Sequence, residues 1–179
     1  MGISGSLRTG SFNTMLLKSA LSLAPQGVTT EIAEIGSIPI YNADLDAQAK
    51  PESVHVFMNK IRAADALVIA TPEYNYSIPG VLKNAIDWAS RPPQENAFAG
   101  KPLAILSAST GLLGGARAQY HLRQCCVFLD MHPVNKPEVM VSKAQDKFDS
   151  NGALTDEIAR ELIRKLMASL SEWTTRLNR

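Results

Sequence analysis

Short apolar runs alternate along the chain with longer amphipathic stretches. Met1–Ser4 is an apolar start that enters a polar loop at Gly5. Ser11 suits a helix cap, and Phe12, Leu16, Leu17, Ala20, Leu21 and Leu23 then recur on one helical stripe. Pro25 and Gly27 end that helix. Val28–Ile35 alternates apolar and polar positions, which predicts a strand. Ile38–Lys50 holds Pro39, Asn42, Asp44 and Asp46 and predicts a loop, after which Pro51 opens a helix reaching about Ala64. Ala66–Ala70 is continuously apolar, as a strand buried on both faces should be. A helix over Gly80–Ala89, a strand at Leu103–Leu106 and a long helix ending about Asp130 follow. Val134–Val141 predicts the last strand, and Thr155 begins a final helix with Asp156 and Glu157 in its first turn.

Strand and helix thus alternate about five times. That alternation predicts a single domain over residues 1–179, with a parallel sheet covered by helices on both faces. Such sheets bind ligands outside the carboxyl ends of their strands. The loops after the first, third and fourth strands are therefore where chemistry is expected, and they are also the most unusual in composition.

Composition narrows the classes. Lys and Arg total 18 against 17 Asp and Glu, a net charge of +1. That balance lacks the basic footprint of a nucleic-acid binder and the one-signed docking face of an electron carrier. Adjacent Cys125 and Cys126 point in different directions on a helix and cannot close an ordinary disulfide. His55, His121 and His132 are scattered without ligand spacing, so no metal site is expected. No apolar run approaches the ~20 residues of a membrane span. No basic stretch leads into an apolar core at the start, so no signal peptide and a cytoplasmic location are expected.

Gly5-Ser6-Leu7-Arg8-Thr9-Gly10-Ser11-Phe12-Asn13 joins the first strand to the first helix. Hydroxyls, one guanidinium and backbone N–H groups at a helix start suit a phosphate, although the same residues also make a simple turn and cap. No Walker lysine is present, and Gly2, Gly5 and Gly10 lack dinucleotide-fingerprint spacing. Only Met1–Ser4 precede this loop, against the about five or six residues of a typical strand, and so short a central strand would loosen the cradle. Either the strand is a stub or a few starting residues are missing. Pro72-Glu73-Tyr74-Asn75-Tyr76-Ser77-Ile78-Pro79 sets two tyrosines between prolines. It suits a flat conjugated ligand, or else packing at an interface. Ser109–Gly115 places small residues where backbone must approach something closely, and Gly114-Gly115 opens a helix whose positive end would stabilise negative charge on a ligand.

These motifs, with Leu82-Lys83-Asn84-Ala85-Ile86-Asp87-Trp88 and Gly114-Gly115-Ala116-Arg117-Ala118-Gln119-Tyr120-His121-Leu122-Arg123-Gln124, resemble the NAD(P)H-dependent FMN reductase family. Within it the bacterial quinone and chromate reductases are most similar. The resemblance runs over nearly the whole chain, although the family's longer first strand is absent. It implies a flavodoxin-like three-layer α/β/α sandwich with a five-stranded parallel sheet of order 2-1-3-4-5. It also implies bound FMN, with NADPH or NADH as co-substrate. On the resemblance, Ser6, Arg8, Ser11, Phe12 and Asn13 would hold the FMN phosphate. Pro72, Glu73, Tyr74, Asn75 and Tyr76 would line the isoalloxazine, and Ser109 and Gly111 would touch its far edge.

The implied reaction is hydride transfer from nicotinamide to the flavin, then two-electron reduction of quinones, chromate, or nitro and azo compounds. The cofactor carries that chemistry, so no catalytic side chain is required, and no triad or paired carboxylates are present. Glu73, the acid of the flavin loop, is expected to bond to backbone. A non-enzymatic FMN-binding electron carrier is the alternative, disfavoured by the neutral charge and short flavin loops. Arg8, Lys83, Arg91 and Arg117 are candidates to read a nicotinamide 2′-phosphate. The family forms homodimers and homotetramers. Arg117 and Tyr120 are then expected to meet Glu138 across a subunit boundary, unless that helix face is simply solvated. Trp88, Ile86 and the cysteines read as packing, and His121 as structural.

Overall fold

A computed structural model of the protein describes residues 1–178. The strands are β1 (Gly2–Ser4), β2 (Ile32–Ala33), β3 (Leu67–Ala70), β4 (Pro102–Ala108), β5 (His132–Pro133) and β6 (Val139–Val141). The helices are α1 (Phe12–Ser22), α2 (Ala43–Gln48), α3 (Glu52–Ala63), α4 (Gly80–Ala89), α5 (Ala116–Leu129) and α6 (Glu157–Leu177). All strand pairings are parallel, in the order β2-β1-β3-β4-β5, with β6 also paired to β4. This is the expected 2-1-3-4-5 order.

The alternation of side chains across the strands builds two apolar layers. Ile3, Leu67, Ile69, Leu103 and Ile105 face α3, α4 and α5, where Phe57, Trp88 and Phe98 are buried. Val68, Ala70, Ala104, Leu106 and Ala108 face α1 and α6. Trp88 keeps its one polar atom satisfied, its indole N–H donating to the Pro39 carbonyl at 2.9 Å. Burial pushes the Cys126 thiol up to about 12 and raises Cys125 as well. Cys126 lies in the first apolar layer and Cys125 packs against it, so both are packing groups.

Three expected elements differ. The strand expected over Val28–Ile35 is ordered as a strand only at Ile32–Ala33. Its sheet neighbour is β1, which offers it Gly2 and Ile3 alone, so Val28–Glu31 stay exposed. The loop expected over Ile38–Lys50 contains α2, started by Asn42, whose side chain accepts from Asp44 N at 2.8 Å. Asp44 and Asp46 in its first turn favour the same helix start. Of the strand expected over Val134–Val141 only Val139–Val141 forms, as β6 on the last residues of β4, while β5 lies just before that span and pairs the first residues of β4. Pro137, between them, has no N–H to donate to a ladder.

Candidate functional site

Three loops meet at the carboxyl edge of the central strands: residues 5–11 after β1, 71–79 after β3, and 109–115 after β4. Gly5 N donates to Ala70 O at 2.8 Å, and Thr71 N to Leu106 O at 3.0 Å, so the loops leave the sheet side by side. A Cβ at Gly5 would stand 3.1 Å from Thr71 Oγ1 and 3.3 Å from Pro72, which explains the glycine there.

The first loop ends at Ser11, whose buried hydroxyl accepts from Thr14 N. Ser11 N donates to Arg8 O, and Met15 N to Ser11 O. These bonds leave the N–H groups of Phe12 and Asn13, at the positive end of α1, without an acceptor among the described residues. Ser6 belongs to the same loop, its hydroxyl accepting from Arg8 N at 3.3 Å. The exposed Arg8 guanidinium donates to Gly10 O at 2.7 Å and lies 5.7 Å from the Phe12 ring centroid. Phe148 packs on the other side of this turn, 5.5 Å from Phe12 between centroids. An open helix start with two hydroxyls and an unpaired cation is what a phosphate requires.

Asn13 is placed differently from its expected role. Its buried amide donates to Ala108 O and accepts from Ala108 N, both at 2.9 Å. The side chain ties α1 to the end of β4, and only its backbone N–H faces the open helix start.

In the second loop, Tyr74 and Ser77 exchange backbone hydrogen bonds, each 3.0 Å long. Asn75 (φ 49°) and Tyr76 (φ 68°) occupy the two central positions of this hairpin turn, both left-handed. Pro72 is buried, while Tyr74, Asn75 and Tyr76 are exposed, although the Arg117 guanidinium covers one face of the Tyr76 ring. The Glu73 side chain, only 8% exposed, turns away from that surface. It accepts from Arg117 N at 3.0 Å, from Ala118 N at 3.4 Å and from Arg117 Nε at 2.5 Å.

The third loop is bonded along the segment after β6. Ser109 N donates to Val141 O at 2.9 Å, Ala144 N to Ser109 O at 3.0 Å, and Lys143 N to Gly111 O at 3.3 Å. Gly111 N donates back to Ser109 Oγ at 3.1 Å. Behind the loop, Ser107 Oγ donates to Gly114 O at 2.6 Å and accepts from Gln119 Nε2 at 2.7 Å. Gly115 (φ 88°) fits because a Cβ there would stand 2.7 Å from Ser107 Cβ.

One expectation is overturned. The positive end of α5 does not face a ligand, because the Glu73 carboxylate occupies it. Tyr120 donates to Glu138 at 3.1 Å within the chain, and Arg117 pairs with Glu73. The crossover from α5 to β6 brings Glu138 back beside its own helix. That hydrogen bond to a carboxylate raises the Tyr120 phenol. Among the cations proposed for a 2′-phosphate, Lys83 and Arg91 both pair with Asp87. Arg8 has no carboxylate partner among the described residues.

Several contributors escaped sequence reasoning. Phe148 and Lys143 come from far along the chain with no motif of their own. Ser107 lies at the end of an apolar strand pattern, and Gln119, though part of the family motif, carried no role of its own. A groove lined by Met1, Glu31, Ala66, Val68 and Thr174 opens at the opposite, amino-terminal end of the sheet and includes none of these loops.

Strand order, layers and loop placement define a flavodoxin-like α/β protein. The chain belongs to the NADPH-dependent FMN reductase family, whose profile matches residues 1–146. It is 60% identical over 177 residues to an NAD(P)H-dependent FMN reductase of Pseudomonas aeruginosa, covering 99% of this chain and 95% of that one. It is 46% identical over 181 residues to an NADPH:quinone oxidoreductase of Arabidopsis thaliana, covering 98% and 91%. Among solved structures it is similar to the flavoenzyme NAD(P)H:(acceptor) oxidoreductase from Paracoccus denitrificans, with a TM-score of 0.89, 35% identity, and coverage of 98% and 96%.

Proposed function

We propose that this protein is an FMN-containing reductase that takes electrons from NADPH or NADH and delivers them to quinones or other small two-electron acceptors. The observation that carries this reading is the open amino terminus of α1, with Ser6, Arg8 and Ser11 around it, beside the exposed tyrosine turn. The free amides of Phe12 and Asn13, the hydroxyls and the Arg8 guanidinium would hold the FMN phosphate. Pro72, the backbone of Glu73, and Tyr74, Asn75 and Tyr76 would line the ring, with Ser109 and Gly111 at its far edge. When bound, FMN supplies hydride acceptance and return. The residues of this chain bind and orient; none is required to move a proton.

The relatives named as FMN and quinone reductases support the choice of nicotinamide as donor and quinone as acceptor. Among the described residues no helix is long and apolar enough to cross a membrane. A cytoplasmic enzyme acting as a homodimer or homotetramer is our reading. The exposed Val127 and Phe128 on α5, 84% and 76% accessible, support an apolar face available to a second copy.

The test is the visible spectrum of the purified protein with added FMN, followed by anaerobic NADPH or NADH and then a quinone. The expected result is flavin absorption that bleaches with the nucleotide and returns with the quinone. Bound flavin that neither nucleotide bleaches would instead identify an electron carrier. Protein that takes up no FMN would overturn the reading.

A further inference from the structure

The turn Tyr74–Ser77 has an unfavourable backbone. Two-residue hairpin turns with both central residues left-handed favour Asn and Gly. Here Asn75 satisfies that preference, but Tyr76 holds a bulky side chain at φ 68°. Such conformations persist only where surrounding structure over-determines them. The surrounding structure is the first turn and a half of α5. Glu73, immediately before the turn, accepts from Arg117 N, Ala118 N and the Arg117 side chain. The Arg117 guanidinium lies over the Tyr76 ring, 3.6 Å from its centroid. At the far end, Ser77 Oγ is hydrogen-bonded to His121 Nδ1 at 3.0 Å.

We propose that α5 is a clamp that holds this turn in its ring-binding conformation, and that Glu73 is the positioning residue through which the clamp acts. The proposal rests on the FMN reading given above. Glu73 does not touch the ring face on this account. Its nearly buried carboxylate bonds one end of the turn to α5, and its ion pair holds Arg117 where the guanidinium can lie on Tyr76. Both tyrosines are then presented before a ligand arrives, and binding does not have to order them. The clamp has its own support, since Ser107 and Gln119 fix the Gly114-Gly115 start of α5 from beneath.

The experiment compares the full-length wild type with Glu73→Ala and Glu73→Gln in two measurements. Amide hydrogen exchange is read without FMN at Tyr74 and Ser77, and affinity is read by FMN fluorescence quenching. Glu73→Ala is expected to speed exchange at Tyr74 and Ser77 by about tenfold or more, and to weaken FMN by a similar factor. Glu73→Gln keeps an oxygen for Arg117 N and Ala118 N but sets its amide nitrogen against the Arg117 guanidinium and loses the ion pair, and is expected to fall between wild type and Glu73→Ala in both. A role limited to capping α5 would speed exchange at Arg117 and Ala118 and leave Tyr74 and Ser77 unchanged; that result overturns the proposal. Faster exchange at the turn with unaltered FMN affinity overturns it too, because the clamp would then serve no ligand. If Glu73→Ala does not fold, Arg117→Ala removes the guanidinium from both Glu73 and Tyr76 and is read at the same amides. Wild type that takes up no FMN would refute the cofactor reading while the exchange data still decide whether α5 clamps the turn.

Discussion

Two helices begin at the same edge of the sheet, and their amino termini are in opposite states. At α1, Ser11 caps Thr14 N, and the N–H groups of Phe12 and Asn13 remain open. At α5 every first-turn N–H has an acceptor: Ala116 N bonds Leu113 O, Arg117 N and Ala118 N bond Glu73, and Gln119 N bonds Gly115 O. Each helix start is a source of partial positive charge. Only the first is free to receive an anion. The second has been used internally, to fix a neighbouring loop. A helix amino terminus at the ligand edge of an α/β sheet is thus a binding site only if no carboxylate of the protein reaches it first.

The largest expected effect comes from making α1 resemble α5. Ser6→Asp would add a carboxylate to the loop leading into the open helix start, where it repels a phosphate. FMN affinity should fall about 100-fold, or ~2.7 kcal/mol, with little loss of stability. Fluorescence titration and urea unfolding check the two halves. Unchanged affinity would mean that the phosphate does not sit on α1. Next is Asn13→Ala, which strips both bonds from the buried Ala108 backbone and frees α1 from β4. It should lower the unfolding free energy by ~2 kcal/mol in urea melts, the cost of unsatisfied buried groups.

A third helix start sharpens the contrast. Asp156 caps α6 by accepting from Ala159 N at 2.8 Å and pairs with Lys147. The hydrogen bond from Lys147 and that from Ala159 N hold its carboxyl below the ordinary 3.8. This local cap should be worth ~1 kcal/mol to Asp156→Ala, well short of any effect on FMN. A carboxyl lowered by folding stabilises fully above its unfolded value, and that contribution disappears as pH falls through the lowered one. The stability difference between wild type and Asp156→Ala should therefore be constant near neutrality and vanish in acid below the ordinary carboxylate range. Thermal melts across pH measure it. The smallest effect is spectroscopic: ultraviolet titration should find the Tyr120 phenol ionising above the ordinary 10.0, and Glu138→Gln should bring it back toward that value.

Much of this was legible from residues alone. The continuous apolar run at Ala66–Ala70 read as a strand covered on both sides and is one over Leu67–Ala70, and Gly80–Ala89 matched its helix at both ends. The order of the three loops followed from the order of those elements. What escaped reading depended on partners. The Val28–Glu31 alternation is real, yet a strand needs a neighbour, and β1 supplies too few residues. Helix α2 carried its signal in Asn42 and Asp44, which a loop-like composition concealed. Asn13 looked like a ligand group because it stands at a helix start, while its amide serves Ala108, 95 positions away.

Local chemistry along the chain decided the alternation of strand and helix, because periodicity, caps and turn residues act over a few neighbouring positions, while the sheet order was implied by the family resemblance of the loop motifs. Tertiary structure decided which polar groups remain available. Whether Glu73 faces a ligand or α5, and whether Tyr120 meets its own Glu138, depends on residues 44, 45 and 18 positions away respectively. Those meetings arise only when the crossovers stack the helices on the sheet. A carboxylate's role is fixed by whichever donors the fold brings to it, and no sequence window contains both.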